Sequence, residues 1–144
     1  MTEKKLPVSP PLRAKILAEA QYRCGYCLTQ QIAVNWLLEV EHIIPTAAGG
    51  SDDEDNLWLS CTACNRYKGR QIKARDGSTG RLVRLFNPRR QRWSRHFRWS
   101  ADSTVIIGLT ACGRATVEAL KLNNELAKQA RALWCDAGIH PPRA

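Results

Sequence analysis

With 144 residues and ordinary apolar content, the chain is long enough for one modest domain, or a small one with an extension. No stretch approaches the roughly 20 apolar residues of a membrane span, and the opening MTEKKLPVSPP lacks the apolar run of a secretory signal; a cytoplasmic protein without a membrane partner is expected. The net charge of +9 is uneven, since residues 1–69 hold 7 basic and 8 acidic side chains and residues 70–144 hold 15 and 5, and an excess confined to one half favours a polyanion partner.

In chain order, Ser9-Pro10-Pro11 before LRAKILAEA reads as a capped helix start, with Leu12, Ile16 and Ala20 as its buried stripe. A tight turn at Arg23-Cys24-Gly25-Tyr26-Cys27 ends it. Residues 36–44, WLLEVEHII, read as a strand stopped by Pro45. A loop with Gly49-Gly50 and four consecutive acids follows, then a short strand from Leu57 to Ser60 and a short helix after Cys64. That order predicts a compact ββα unit.

Residues 76–80, DGSTG, are turn-rich and mark the expected boundary between a module at 1–75 and an extension at 76–144. The extension has seven arginines and no acid between 81 and 98. Strand alternation over 93–99 puts Trp93, Arg95, Phe97 and Trp99 on one side. A turn at 101–103 leads into TVIIGL and completes a hairpin. A single helix is expected from about 114 to 134, with Ala115, Ala119, Leu122, Leu126, Ala130 and Leu133 on one stripe.

Cys24-x-x-Cys27 and Cys61-x-x-Cys64 match a four-thiolate zinc site, each pair presenting two sulfurs from one turn. Four thiolates close the coordination shell, so the ion is expected to be structural. It would close a 33-residue loop that carries Glu41-His42-Ile43-Ile44-Pro45, Gly49-Gly50 and Asn56-Leu57. Cys61-Thr62-Ala63-Cys64-Asn65-Arg66-Tyr67-Lys68 follows directly. Cys112 and Cys135 have no such pattern and read as ordinary thiols.

Over residues 20–70 this set resembles the HNH endonuclease family, in the subgroup framed by a four-cysteine zinc site. The resemblance implies a ββα-metal, treble-clef-like module; with the basic C-terminal β-hairpin and helix read above as its extension, an α+β protein is expected. It also implies hydrolysis of DNA phosphodiester bonds, leaving 3′-hydroxyl and 5′-phosphate ends. The third motif position, often histidine in the family, is Asn65 here, and the acid before the histidine, often aspartate, is Glu41.

Hydrolysing a phosphodiester requires an activated water and stabilisation of charge on the phosphoryl oxygens. His42 is the expected general base. The resemblance implies Glu41 and Asn65 as ligands of a catalytic cation; an oxygen-only donor pair tilts the preference toward Mg²⁺ or Mn²⁺. Asn56 matches the middle motif residue, expected to hold the loop between the strands. Arg66 and Lys68, with Arg89, Arg90 and Arg92 of the arginine-rich segment, are the expected contacts to double-stranded DNA. The alternative is an inactive zinc-stapled nucleic-acid-binding module, which would have no need of Glu41, His42 and Asn65 together.

Overall fold

The computed structural model describes residues 8–143. Residues 1–7, most of the stretch on which the expected lack of a signal rests, lie outside it, as does residue 144. No helix among the described residues is long and apolar enough to cross a membrane.

Helix α1 spans Pro10–Glu19 with both prolines in its first turn, and the Ser9 hydroxyl accepts from the Leu12 amide. It buries Ile16, and Ala20 just past its end, against the rest of the fold. Gln21 and Tyr22 take positive φ and swing the chain into the first cysteine turn. There Gly25 is obligatory: a Cβ would lie 2.4 Å from Trp58 Cδ1 and 2.6 Å from Pro88 Cβ. Its amide donates to Leu59 O, tying the turn to a strand.

That strand, β2 (Leu57–Ser60), pairs antiparallel with β1 (Glu39–His42), with Glu41 opposite Trp58 and His42 opposite Leu57. β1 is shorter than the expected 36–44. The Gln31 side chain donates to Trp36 O and accepts from Leu38 N, so these backbone groups are already paired before a ladder begins. Trp36 and Leu37 stay exposed. Helix α2 (Thr62–Lys68) then starts from Cys61, whose sulfur accepts from the Cys64 amide. The expected ββα order is therefore present.

The expected boundary at 76–80 is the tip of a hairpin. β3 (Lys73–Arg75) pairs antiparallel with β4 (Leu82–Arg84) across it. Asp76 is fully buried at the tip, its carboxylate accepting from Ser78 N, Thr79 Oγ1 and both Nε and Nη2 of Arg114. The Arg114 guanidinium holds that carboxyl well below the usual carboxylate range.

Two expectations for the extension fail. Trp93–His96 is a helical turn, α3, and only β5 (Phe97–Trp99) pairs with β6 (Ile106–Gly108). Asn87 accounts for it: its side chain accepts from the Arg89 and Arg90 amides and its carbonyl from the Gln91 amide, coiling the chain before the strand. Arg95 is consequently exposed, while Trp93 still stacks on Phe97 and Trp99 at centroid distances of 5.2 and 5.4 Å.

The single long helix is also broken, into α4 (Ala111–Ala119) and α5 (Glu125–Asp136). Asn123 leaves helical geometry to pair both backbone groups of Ile106 through its side chain, and Asn124 caps α5. Buried Arg131 closes the joint by donating to Thr104 O and Leu122 O. The break buries Leu122 and turns Leu126 and Leu133 outward, 78% and 69% exposed, so those two leave the expected stripe. One apolar cluster still runs through the molecule, from Cys24, Tyr26 and Leu59 to Phe97, Ile106 and Leu122.

Candidate active site and metal centre

All four knuckle cysteines are buried, and their sulfurs lie within 4.8 Å of one another. Cys27 Sγ and Cys61 Sγ are 3.7 Å apart, close to the edge of about 3.8 Å for a tetrahedron of sulfurs some 2.3 Å from zinc. The amides of Tyr26 and Cys64 point at Cys24 and Cys61 sulfurs, as donors that stabilise thiolates. Hydrogen bonds from neighbouring thiols hold Cys27 well below the ordinary thiol range, while burial pushes Cys24 up. The cluster is set to bind a metal ion, and its dimensions fit zinc.

Beside it, β1 delivers adjacent side chains to two environments. Glu41 faces inward, 2% exposed, and its carboxylate accepts from the Tyr26 hydroxyl and lies 3.5 Å from the Lys68 ammonium. Burial, reinforced by the Glu41 charge, pushes the Tyr26 phenol well above its ordinary range, so it remains a donor. Lys68 also donates to the carbonyls of His42 and Ile43, at 3.1 and 2.8 Å. One buried cation therefore fixes both the carboxylate and the backbone on either side of the histidine.

His42 stands at the outer end of β1, with Nε2 2.6 Å from Asp52 Oδ1. An ionised carboxylate only accepts, so Nε2 carries the proton and Nδ1 is the ring's acceptor. Asn56 sets the loop between: its amide oxygen accepts from Ile44 N, and its nitrogen donates to Ile44 O and Ser51 O. Gly50 makes that closure possible, because a Cβ there would come within 1.7 Å of Ile44 O. Asn65, on α2, donates its amide nitrogen to Glu39 Oε2 at 3.0 Å, so Oδ1 is the atom of this side chain that can serve as a ligand. Glu41, His42 and Asn65 line one small pocket of about 170 Å³ with Pro45, Gly69 and Arg70.

The lysine gives a stability prediction. Lys68→Met removes the partner of a buried carboxylate and orphans two carbonyls, a change that costs about 3–5 kcal/mol. Urea denaturation followed by circular dichroism should show that loss. A change below about 1 kcal/mol, the size of an exposed pair, would mean the ammonium is not closing this network.

Of the expected DNA contacts, two are turned inward. Lys68 is 2% exposed and fully engaged, so it holds the site from beneath and has no ammonium to offer a phosphate. Arg89 donates to Leu57 O and to Glu19, with its guanidinium 4.9 Å over the Trp58 ring, and serves as a clamp between elements. Arg66 and Arg92 are exposed; Arg90 is exposed and lies 3.6 Å from Asp55. Four further residues of the site are not singled out by the sequence pattern: Glu39, Asp52, Tyr26 and Arg70. Period-two spacing from Glu41 is the available signal for Glu39. Nothing in the run of four acids singles out Asp52.

A two-stranded antiparallel hairpin followed by a helix, stapled by four cysteines and carrying a histidine at the strand end, defines a nuclease-type ββα-metal fold. The HNH endonuclease family model matches residues 24–71, a third of the chain, running from the first cysteine to just beyond α2. This segment is an HNH domain, of the kind framed by a four-cysteine metal centre. No curated protein matches the chain.

Proposed function

We propose that the chain is a metal-dependent endonuclease that hydrolyses phosphodiester bonds of double-stranded DNA. What supports this most is the convergence of Glu41, His42 and Asn65 on one pocket within an HNH domain. His42 Nδ1 takes the proton from the attacking water, while Asp52 holds the ring in the tautomer that leaves Nδ1 open. The Glu41 carboxylate and Asn65 Oδ1 are the residues that would hold Mg²⁺ or Mn²⁺, both offering the oxygen donors that such hard cations take. When bound, the cation stabilises charge developing on the phosphoryl and leaving oxygens. Arg70, exposed at the pocket rim, adds a fork for the same phosphate.

In this reading the ion in the cysteine cluster is zinc, and it is structural. Four protein sulfurs leave no open position for substrate. It anchors the first cysteine turn, tied to β2, and the start of α2; β1, paired with β2, carries Glu41 and His42, and α2 carries Asn65. The HNH module ends near residue 75, and the extension shares its core and supplies basic surface at Arg90 and Arg92, to which α2 of the module adds Arg66.

Metal dependence tests the proposal. Zinc-loaded protein is incubated with supercoiled plasmid in Mg²⁺, in Mn²⁺, or with EDTA. Relaxed or linear product bearing ligatable 5′-phosphate ends is expected with either cation and not with chelator. Equal cutting in EDTA, or none in either cation, contradicts it.

A further inference from the structure

We propose that the outward face of the β3–β4 hairpin binds the phosphate backbone of duplex DNA and extends the active-site cleft; this rests on the nuclease reading above. The register puts Lys73 directly opposite Arg84 and Arg75 opposite Leu82. All four side chains are exposed, whereas the alternate pair, Ala74 and Val83, is half-buried on the face toward α4. Like charges directly opposite on a strand pair are destabilising. Among the described residues, none of Lys73, Arg75, Arg81 and Arg84 has an acidic partner within ion-pair distance. The one acid in the hairpin sequence, Asp76, is buried and taken by Arg114. The hairpin thus concentrates cations that its own fold does not neutralise.

Their location gives them a use. A cleft of about 380 Å³ joins the loop after His42, at Ile44 and Ala48, to Ile72 and Arg84 of the hairpin and to Arg90 beyond. Arg70, on the rim of the catalytic pocket, precedes Lys73 by three residues. Arg84 and Arg90 line this cleft, Lys73 faces Arg84 across the strand pair, and Arg70 of the catalytic rim is one residue from Gln71 of the cleft wall. The hairpin face has no aromatic ring on which an unpaired base would stack, and Leu82 is its one apolar side chain, so it reads backbone charge. Arg81 and Arg84 thereby act with Lys73 and Arg75, which precede the turn, and not with the arginines near β5.

The test measures binding of a labelled duplex to the zinc-loaded full chain over a range of KCl, in the His42→Ala background to prevent cutting. The triple variant Lys73→Gln/Arg75→Gln/Arg84→Gln should flatten the plot of log affinity against log salt by about 2.7, from about 0.9 per phosphate contact. A control triple, Arg98→Gln/Lys121→Gln/Lys128→Gln, removes equal charge from β5 and the region around α5 and should leave the slope nearly unchanged. Arg84→Gln alone should keep or raise the thermal midpoint, because it relieves the Lys73 repulsion; a purely structural residue would lower it. Should the triple fail to fold, Lys73→Gln and Arg84→Gln singly are each expected to flatten the slope by about 0.9. An unchanged slope in the hairpin variants overturns the inference and leaves the nuclease reading intact. So does preferential loss of binding to single strands or to anionic phospholipid vesicles. Failure of the parent to cut plasmid with Mg²⁺ and with Mn²⁺, while the slope still flattens, removes the nuclease reading and keeps the DNA surface.

Discussion

Cys61→Ser should yield a chain that neither retains zinc nor unfolds cooperatively. Structural zinc contributes about 10–16 kcal/mol of apparent binding free energy at neutral pH, comparable with or larger than the roughly 5–15 kcal/mol by which a typical domain is stable. Cys61 sits at the junction of β2 and α2, its sulfur facing that of Cys27 at 3.7 Å and accepting from the Cys64 amide at the start of the helix. Serine offers a harder, protonated oxygen in place of a thiolate; that oxygen can still cap α2, so the substitution removes the metal ligand while sparing the helix start. All four cysteines belong to the central apolar cluster, and no second core among the described residues remains to hold β1 and α2 together. Zinc content by mass spectrometry and a thermal melt check both parts. Cys112→Ser, outside the cluster and half-buried, should keep one zinc and a sharp transition. A Cys61→Ser protein with stoichiometric zinc and the parent's melt would show that the fold does not depend on the ion.

How much of this is legible in the order of residues alone depends on range. The cysteine pairs and the ββα order follow from local spacing, because two Cys-x-x-Cys turns and two short apolar runs leave little choice of arrangement. The inward direction of Lys68 does not follow: as the last residue of a short helix with basic neighbours, it has the pattern of a surface lysine. Only the pairing of β1 with β2 brings Glu41 and two carbonyls beneath it. Strands β3 and β4 have three residues each, too few for alternation to register, so the sequence shows only the turn between them and not the hairpin. The break between α4 and α5 is invisible for a related reason. Helical periodicity continues through Leu122, and what ends α4 is a tertiary demand: Asn123 must reach Ile106, and Arg131 must reach Thr104 and Leu122. Asp52 is hidden among equivalents, since which of four acids meets His42 depends on the turn that Asn56 and Gly50 close.

The second large effect concerns His42. General-base catalysis contributes about 10²–10⁴ in rate, and His42 is the one imidazole lining the pocket that holds Glu41 and Asn65. Among the other histidines, His96 Nδ1 meets Thr110 and His140 is buried against Trp99, so neither lies where it would substitute. Alanine at 42 leaves β1, the cysteine cluster and the Lys68 bonds to backbone carbonyls in place, because those bonds do not use the ring. The decisive measurement is the rate of plasmid nicking by zinc-loaded parent and His42→Ala proteins in Mg²⁺ or Mn²⁺, with zinc content and duplex affinity determined on the same preparations. A fall of about 10²–10⁴ in rate, at unchanged zinc and affinity, is the expected result. Equal nicking by the two proteins would contradict the assignment of this pocket as the catalytic site.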